Sequence, residues 1–346
     1  MWVLKNYRIS HRISRRGNKL KAIAVNSDYS LTLEEQERPV PGPNEILIKV
    51  QCAGVNRADL MQRRGFYPTP PGASKILGLE CSGIVESVGG NCERYRDGDS
   101  VCALLSGGGY AEYVAVDEGS VLPMPAEFSF EQAASIPEVF ATAWLNLFDE
   151  AKLKKNSNVL IHAGASGVGT AATQLCRAYD SRPWVTVGSQ FKLKKCMELG
   201  AVDGAVRTAA DFWDRVGSFP SSSGYDVILD SVGGAYLEEN LSLLNPKGRL
   251  IIIGLMSGSK ANVNLSEVLM KRIKIIGSTL RNRPLLEKAS LMNTLEKEVW
   301  PKFVSRDILP VVEAIYPFSE AEKAHELMAS NNTCLLYTSP SPRDRT

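Results

Sequence analysis

The chain has no uninterrupted apolar run approaching the roughly 20 residues that a bilayer-spanning helix needs. It has almost no net charge: 40 Lys and Arg against 38 Asp and Glu leave +2. That balance argues against a surface dedicated to nucleic acid or to an anionic membrane, each of which needs a sustained excess of cations. Histidine is scarce, at three residues, and the seven cysteines include no C-x-x-C pair. The common structural zinc patterns draw on such pairs and on histidines spaced beside them, so they are excluded. Isolated thiols of this kind read as small buried hydrophobes in a reducing compartment. Internal repeats are absent as well.

Two terminal stretches lack something more specific. From Met1 to Ser27 there is no acidic residue, while Lys5, Arg8, Arg12, Arg15, Arg16, Lys19 and Lys21 are basic. A transit peptide has that composition. Residues 1–19 are therefore expected to be a basic extension, either a transit peptide or an untidy start, ahead of a fold that opens with the strand at 20–25. At the other end, TCLLYTSPSPRDRT (333–346) has neither a helical nor a strand period, and its Ser-Pro repeats prevent regular structure. It resembles the translation of a sequencing-library adapter and is expected to be a non-native tail.

What remains suits two domains in a soluble globular protein, with 44% hydrophobic and 23% charged residues. Residues 20–125 read as short strands, such as 45–50, 83–88 and 110–116, separated by glycine and proline breaks; this predicts a partly open β-barrel. Helical stretches follow at 131–136 and 140–148, with Pro137 between them. A β/α alternation then begins. The run 158–163 is continuously apolar, as a strand buried on both faces should be. Val168, Ala171, Ala172, Leu175 and Tyr179 follow at helical spacing. Further strands at 184–187, near 205–206, and at 226–230, 249–254 and 274–277 bring the count to about six, that of a doubly wound dinucleotide fold. The helices at 284–304 and 319–330 are expected to return to the first domain.

The segment LIHAGASGVGT (160–170) sits between the first strand of this alternation and its helix, the context in which a glycine-rich turn binds a pyrophosphate. Gly164 is expected to take the sharp turn, and Gly169 to let helix and strand approach. Gly167 and Val168 would present bare amides at the helix N-terminus, where the dipole favours phosphate. Ser166 replaces the usual middle glycine and adds a hydroxyl. His162, inside the strand, reads as a core histidine. An NAD site places an acid about 20 residues on, at the end of the next strand. Here that position reads Gly188-Ser189-Gln190, followed by Lys192, Lys194 and Lys195. A hydroxyl and an ammonium can bind a 2′-phosphate that an acid would repel, so the coenzyme is expected to be NADPH.

With these residues in place, the chain resembles the zinc-independent quinone oxidoreductase family of the medium-chain dehydrogenase/reductase superfamily. The motifs that carry the likeness are GVNRADLMQRRGFYPTPPGASKILGLECSGIVESVG (54–89), AGASGVGTAATQL, LGA at 199–201 and GLMSGS at 254–259. NRADLMQRRG, YPTPPGAS and LRNR (280–283) bring it nearest to the tumour-suppressor-inducible branch. The resemblance implies an α/β fold in which a GroES-like, partly open β-barrel catalytic domain (20–145 and 285–332) accompanies a doubly wound parallel Rossmann domain (146–284). Zinc relatives carry Cys at the position of Asn56 and His at that of Leu79; losing both removes the Lewis acid that alcohol oxidation uses. The implied activity is therefore transfer of electrons from NADPH to a small quinone. A reductase of enal, enone or enoyl-thioester double bonds is the alternative within chemistry, and a non-enzymatic, crystallin-like NADPH-binding protein the alternative outside it.

By the family's pattern Tyr67 would donate a hydrogen bond to a developing oxyanion, with Asn56 and Asp59 shaping the same pocket; Asp59 reads better as a turn residue bonded to backbone. Thr142 falls to the nicotinamide side. Gly164, Ser166, Gly167, Val168 and Gly169 fall to the pyrophosphate, and Gly254, Leu255 and Met256 to the nicotinamide end. Ser189, Lys192 and Arg207 fall to the 2′-phosphate. Relatives close on a Gly-Lys-hydrophobic strand that residues 333 onward do not supply. The likeness also implies a homodimer or homotetramer without nucleic-acid or membrane partners. It implies a cytoplasmic location, or a mitochondrial one if residues 1–19 are a transit peptide.

Overall fold

The computed structural model describes residues 1–6, 19–220 and 224–330. The chain divides into two compact units, Met1–Glu138 with Arg281–Thr346, and Val139–Leu280.

The strands of the first unit are β1 (Trp2–Lys5), β2 (Lys19–Val25), β3 (Leu31–Glu37), β4 (Glu45–Val55), β5 (Glu80–Val88), β6 (Ser100–Leu104), β7 (Tyr113–Asp117) and β8 (Val121–Pro123), and one more comes late in the chain. β4 organises them. It pairs along its first half with β7, over Glu45–Lys49, and along its second half with β1, over Cys52–Val55. Its other edge pairs with β5, with register shifts between Leu47 and Ile48 and between Val50 and Cys52. Such irregularities bend a strand and increase its twist, which is how a sheet curls toward a barrel. The inward residues Leu4, Ile46, Ile48, Val50, Leu77 and Tyr110 are fully buried in one cluster.

The second unit is a parallel six-stranded sheet of β9 (Asn158–Ile161), β10 (Arg182–Val187), β11 (Asp203–Val206), β12 (Tyr225–Asp230), β13 (Leu244–Ile252) and β14 (Lys274–Gly277). Its order, β11-β10-β9-β12-β13-β14, is the doubly wound order that places ligands at the carboxyl ends of the strands. All four residues of β9 are buried, as a central parallel strand requires. Leu160, Trp184, Tyr225, Ile228 and Leu250 form this unit's own core.

Two sequence expectations need correction. Trp2–Lys5 is not an extension outside the fold: it is a strand whose first three residues are buried. It lies between β4 and β15 (Ala314–Pro317), the late strand. The apolar run Trp2-Val3-Leu4 outweighs the basic composition of its surroundings, and its second partner lies more than 300 residues on, so local pattern could not reveal it. β15 itself was missed, because four residues between helical stretches carry no alternation. Residues 7–18 and the tail from 331 lie outside the described residues, and so do the expectations placed on them. The six described cysteines are free, five of them buried and Cys92 half-buried. Among the described residues no helix is long and apolar enough to cross a membrane.

Candidate functional site

In the second unit β9 ends at Ile161 and the chain turns. His162, fully buried, places Nδ1 2.9 Å from Thr186 Oγ1 and Nε2 2.7 Å from Asn240 Oδ1. Burial holds its pKa below the ordinary value, against the opposing pull of Asp230 and Asn240. It is a core histidine.

The turn differs from expectation in one residue. Ala163, at φ +53°, takes the left-handed conformation assigned to Gly164. Gly164 answers a different demand, because a Cβ there would lie 2.6 Å from Val185 Cβ. At Gly169 a Cβ would stand 2.5 Å from the Ala163 carbonyl oxygen, so only glycine lets helix Gly167–Ala178 approach the turn this closely. Ser166 caps that helix: its Oγ accepts from the Gly169 amide at 3.1 Å, and Thr170 N makes the first helical bond to Ser166 O. The Gly167 and Val168 amides precede that bond and belong to the unpaired first turn of a helix, where anions are favoured.

At the end of β10 the same device recurs. Ser189 Oγ accepts from Lys192 N at 3.3 Å and caps helix Gln190–Glu198. A Cβ on Gly188 would lie 3.6 Å from Arg207 Nε and 4.0 Å from Lys192 Nζ, so two cations from different elements stand over one bare stretch of backbone. Beyond Arg207 lies a cavity of 390 Å³ lined by Phe212, Trp213, Asp214 and Tyr236. At the ends of β12 and β13, the Asp230 carboxylate accepts from the Val232 and Gly233 amides at 2.6 and 3.1 Å. The Ser257 amide donates to Val232 O at 2.8 Å, which ties down the loop carrying Gly254, Leu255 and Met256. Leu255 and Met256 are exposed, and Ser231 Oγ nearby is buried without a hydrogen-bond partner. Thr142 is half-buried, its carbonyl accepting from Asn146 Nδ2 at 2.7 Å. Free helix amides, paired cations and an unspent buried hydroxyl fit a dinucleotide with acidic oxygens.

The first unit gathers a different set. Asp59 is fully buried and accepts from the Asn56 amide at 2.8 Å, the Gly78 amide at 3.1 Å and Tyr110 Oη at 3.0 Å. Burial pushes its carboxyl up to about 6 despite these bonds. It holds backbone, as the turn reading expected. Asn56 Nδ2 donates to Glu80 Oε1 at 2.8 Å, and Glu80 Oε2 accepts from the Glu138 amide at 2.9 Å. Burial raises the Glu80 carboxyl well above its usual range. The Glu138 side chain, half-buried, is pushed up to about 8 by burial and then by Asp59, with Lys288 and Arg281 pulling the other way. Tyr67 is half-buried with the Arg281 guanidinium 5.2 Å from its ring centroid. Burial, then Glu138, pushes its phenol up to about 12, and Arg281 opposes. At neutral pH Tyr67 is a phenol with a hydrogen to donate.

Of the residues expected from sequence, the structure connects Asn56 and Tyr67 through Glu80, Glu138 and Arg281. Of the others, Gly164, residues 166–169, Ser189, Lys192, Arg207 and residues 254–256 follow the carboxyl ends of strands of the parallel sheet, whereas Thr142 lies in helix Pro137–Trp144, ahead of that sheet. Glu80, Glu138, Ser106, Arg281 and Lys288 were missed as site residues. They come from four separate stretches with no shared spacing, although LRNR and GLE were visible as motifs.

Comparison with known proteins finds two family matches: an alcohol dehydrogenase GroES-like domain over residues 42–126 and a zinc-binding dehydrogenase family over residues 167–296. Human quinone oxidoreductase is 30% identical over 292 residues, which covers 83% of this chain and 86% of that protein. Among solved structures, Escherichia coli quinone oxidoreductase complexed with NADPH superposes with a TM-score of 0.80 at 27% identity, covering 92% of this chain and 98% of that one. The CurK enoyl reductase superposes at 0.77 with 26% identity, covering 90% and 96%.

Proposed function

Because the chain belongs to the quinone oxidoreductase family of the medium-chain dehydrogenase/reductase superfamily, a group of nicotinamide-dependent oxidoreductases, we propose that it is an NADPH-dependent, zinc-independent quinone reductase. The observation that carries the coenzyme choice is the pair of cations, Lys192 and Arg207, over Gly188, where an NAD enzyme would keep an acid. The guanidinium supplies a fork for two phosphate oxygens and the ammonium a point charge. Ser189 adds its hydroxyl hydrogen. Gly167 and Val168 receive the pyrophosphate, and Thr142 with Gly254, Leu255 and Met256 the nicotinamide end. When bound, the coenzyme supplies a hydride.

The chain's own part is to bind and polarise the acceptor. Tyr67, kept protonated, donates a hydrogen bond to the oxygen on which negative charge develops, a contact worth more in the transition state than in the ground state. Asn56, committed through Nδ2 to Glu80, positions that carboxyl rather than the acceptor. Quinone carbonyls accept electrons readily, so little more acid–base machinery is required.

The likeness to an enoyl reductase, together with the same Tyr67 phenol, favours one second reading: reduction of an activated double bond, with Tyr67 protonating the α-carbon. A panel of quinones and alkenals with NADPH and NADH separates the possibilities. The expected result is NADPH oxidation by quinones. Oxidation by alkenals alone establishes the second reading, and oxidation by neither leaves a coenzyme-binding protein.

The proposal extends to a homodimer in the cytoplasm. Among the described residues β14 is one of the two edge strands of the parallel sheet, and Leu265, Leu269 and Met270 on the helix before it are 73%, 73% and 77% exposed. Sedimentation at twice the chain mass is expected, and a monomer at micromolar concentration would refute it.

A further inference from the structure

Arg281 is 3% exposed and Lys288 4%, and among the described residues no carboxylate lies within ion-pair range of either. Two cations side by side in the interior are expensive unless something fixes and uses them. Ser106 does the fixing. Its carbonyl accepts from Arg281 Nε at 3.0 Å and Nη2 at 2.8 Å, and its hydroxyl accepts from Lys288 Nζ at 2.8 Å. Lys288 Nζ also donates to the Arg281 carbonyl at 2.6 Å. Arg281 Nη1 is left buried with no hydrogen-bond partner. What the guanidinium does meet is the face of Tyr67, at 5.2 Å from the ring centroid.

We propose that Arg281 is a positioning residue for Tyr67, holding the ring from one face and strengthening its hydroxyl as a hydrogen-bond donor. A cation over an aromatic face is attracted by the ring's electron density, and that density grows as the phenol gives up hydrogen toward an acceptor. The attraction therefore increases as charge develops on the substrate oxygen, which is the condition for a contribution to rate. The two hydrogen bonds to the Ser106 carbonyl, with Lys288 holding the Arg281 carbonyl, fix the guanidinium in advance, so no reorganisation is needed at that moment. Glu138 opposes the effect when ionised; burial and Asp59 keep it protonated, while Lys288 and Arg281 pull its pKa down. The inference rests on the reading of Tyr67 given above.

The test places 3,5-difluorotyrosine, whose phenol ionises within an accessible pH range, at position 67 of the full chain and follows its fluorine signal against pH. In Arg281→Gln the midpoint is expected to rise by about one unit. In the same variant with the natural Tyr67, kcat for a quinone is expected to fall about tenfold while KM for NADPH stays put. Arg281→Lys, which keeps the charge, is expected to restore part of both. An unmoved midpoint in Arg281→Gln, or one as high in Arg281→Lys, overturns the proposal even if activity is lost. Should Arg281→Gln not fold, Arg281→Met, which fills the same space without a buried polar head, is expected to raise the same midpoint, and no change there is equally fatal. Tyr67→Phe keeps the two readings apart: undiminished turnover would end the functional reading of Tyr67, while the fluorine titration would still report the coupling to Arg281.

Discussion

The two units build their sites by opposite means. The parallel-sheet unit presents mainly backbone: amides at the start of helix Gly167–Ala178, capped by Ser166, and a bare Gly188 between two cations. The first unit presents side chains drawn from positions 56, 67, 80, 138, 281 and 288, three of them carboxylates or cations with little exposure. A backbone site follows from local geometry and does not titrate, so its only sensitivity to side-chain charge comes from the two cations at Gly188. A side-chain site depends on burial, so its chemistry shifts with each neighbour and with pH.

The harshest way to break this contrast is at Gly169. A Val there would drive Cβ into the Ala163 carbonyl, 2.5 Å away. Overpacking of this kind costs about 1–3 kcal/mol, and the turn has no other way to accommodate it. Gly169→Val is expected to abolish binding of NADPH by calorimetry, whereas Tyr67→Phe leaves that binding intact. Retained affinity in the valine variant would show that the backbone approach is not what makes the coenzyme site.

A gentler change sharpens the coenzyme assignment. Lys192→Ala is expected to raise KM for NADPH about tenfold, the size of one charge-assisted contact, with KM for NADH unchanged. Arg207→Ala should act in the same sense. Equal effects on both coenzymes would place these cations elsewhere than on a 2′-phosphate.

The smallest expected effect is specific to the first unit. Glu138 has a folded-state pKa raised to about 8 from the ordinary 4.5. The native state therefore keeps a proton that the unfolded chain has lost. Its contribution to stability is complete below about 4.3 and is lost as pH rises through about 8. Between pH 5 and 9 the wild type is expected to lose on the order of 1 kcal/mol relative to Glu138→Gln, after allowance for solvent screening. Parallel stability curves from denaturant titrations of the two proteins would show that this carboxyl is not proton-bound in the native state.

The parallel sheet could be read in advance because buried strands and amphipathic helices carry periods of their own, and because LIHAGASGVGT lies where strand gives way to helix. The reading erred at one backbone angle, giving to Gly164 the left-handed turn that Ala163 makes. The steric contact that reserves Gly164 comes from Val185, one strand away, and no local signal announces it. In the first unit the strand at Trp2–Lys5 escaped notice for the same reason: what places it is pairing with β4 and β15.

The amino-acid order by itself determined the β/α alternation, the glycine turn and the missing acid after Val187. Each of these is a property of neighbouring residues or of a single position. Only the tertiary structure decided that Arg281 and Lys288 lie buried on Ser106, that Arg281 meets the face of Tyr67, and that Glu138 holds its proton near neutrality. Charge, desolvation and ring contact act through space. Residues 281 and 67 are far apart along the chain, and folding is what makes them neighbours.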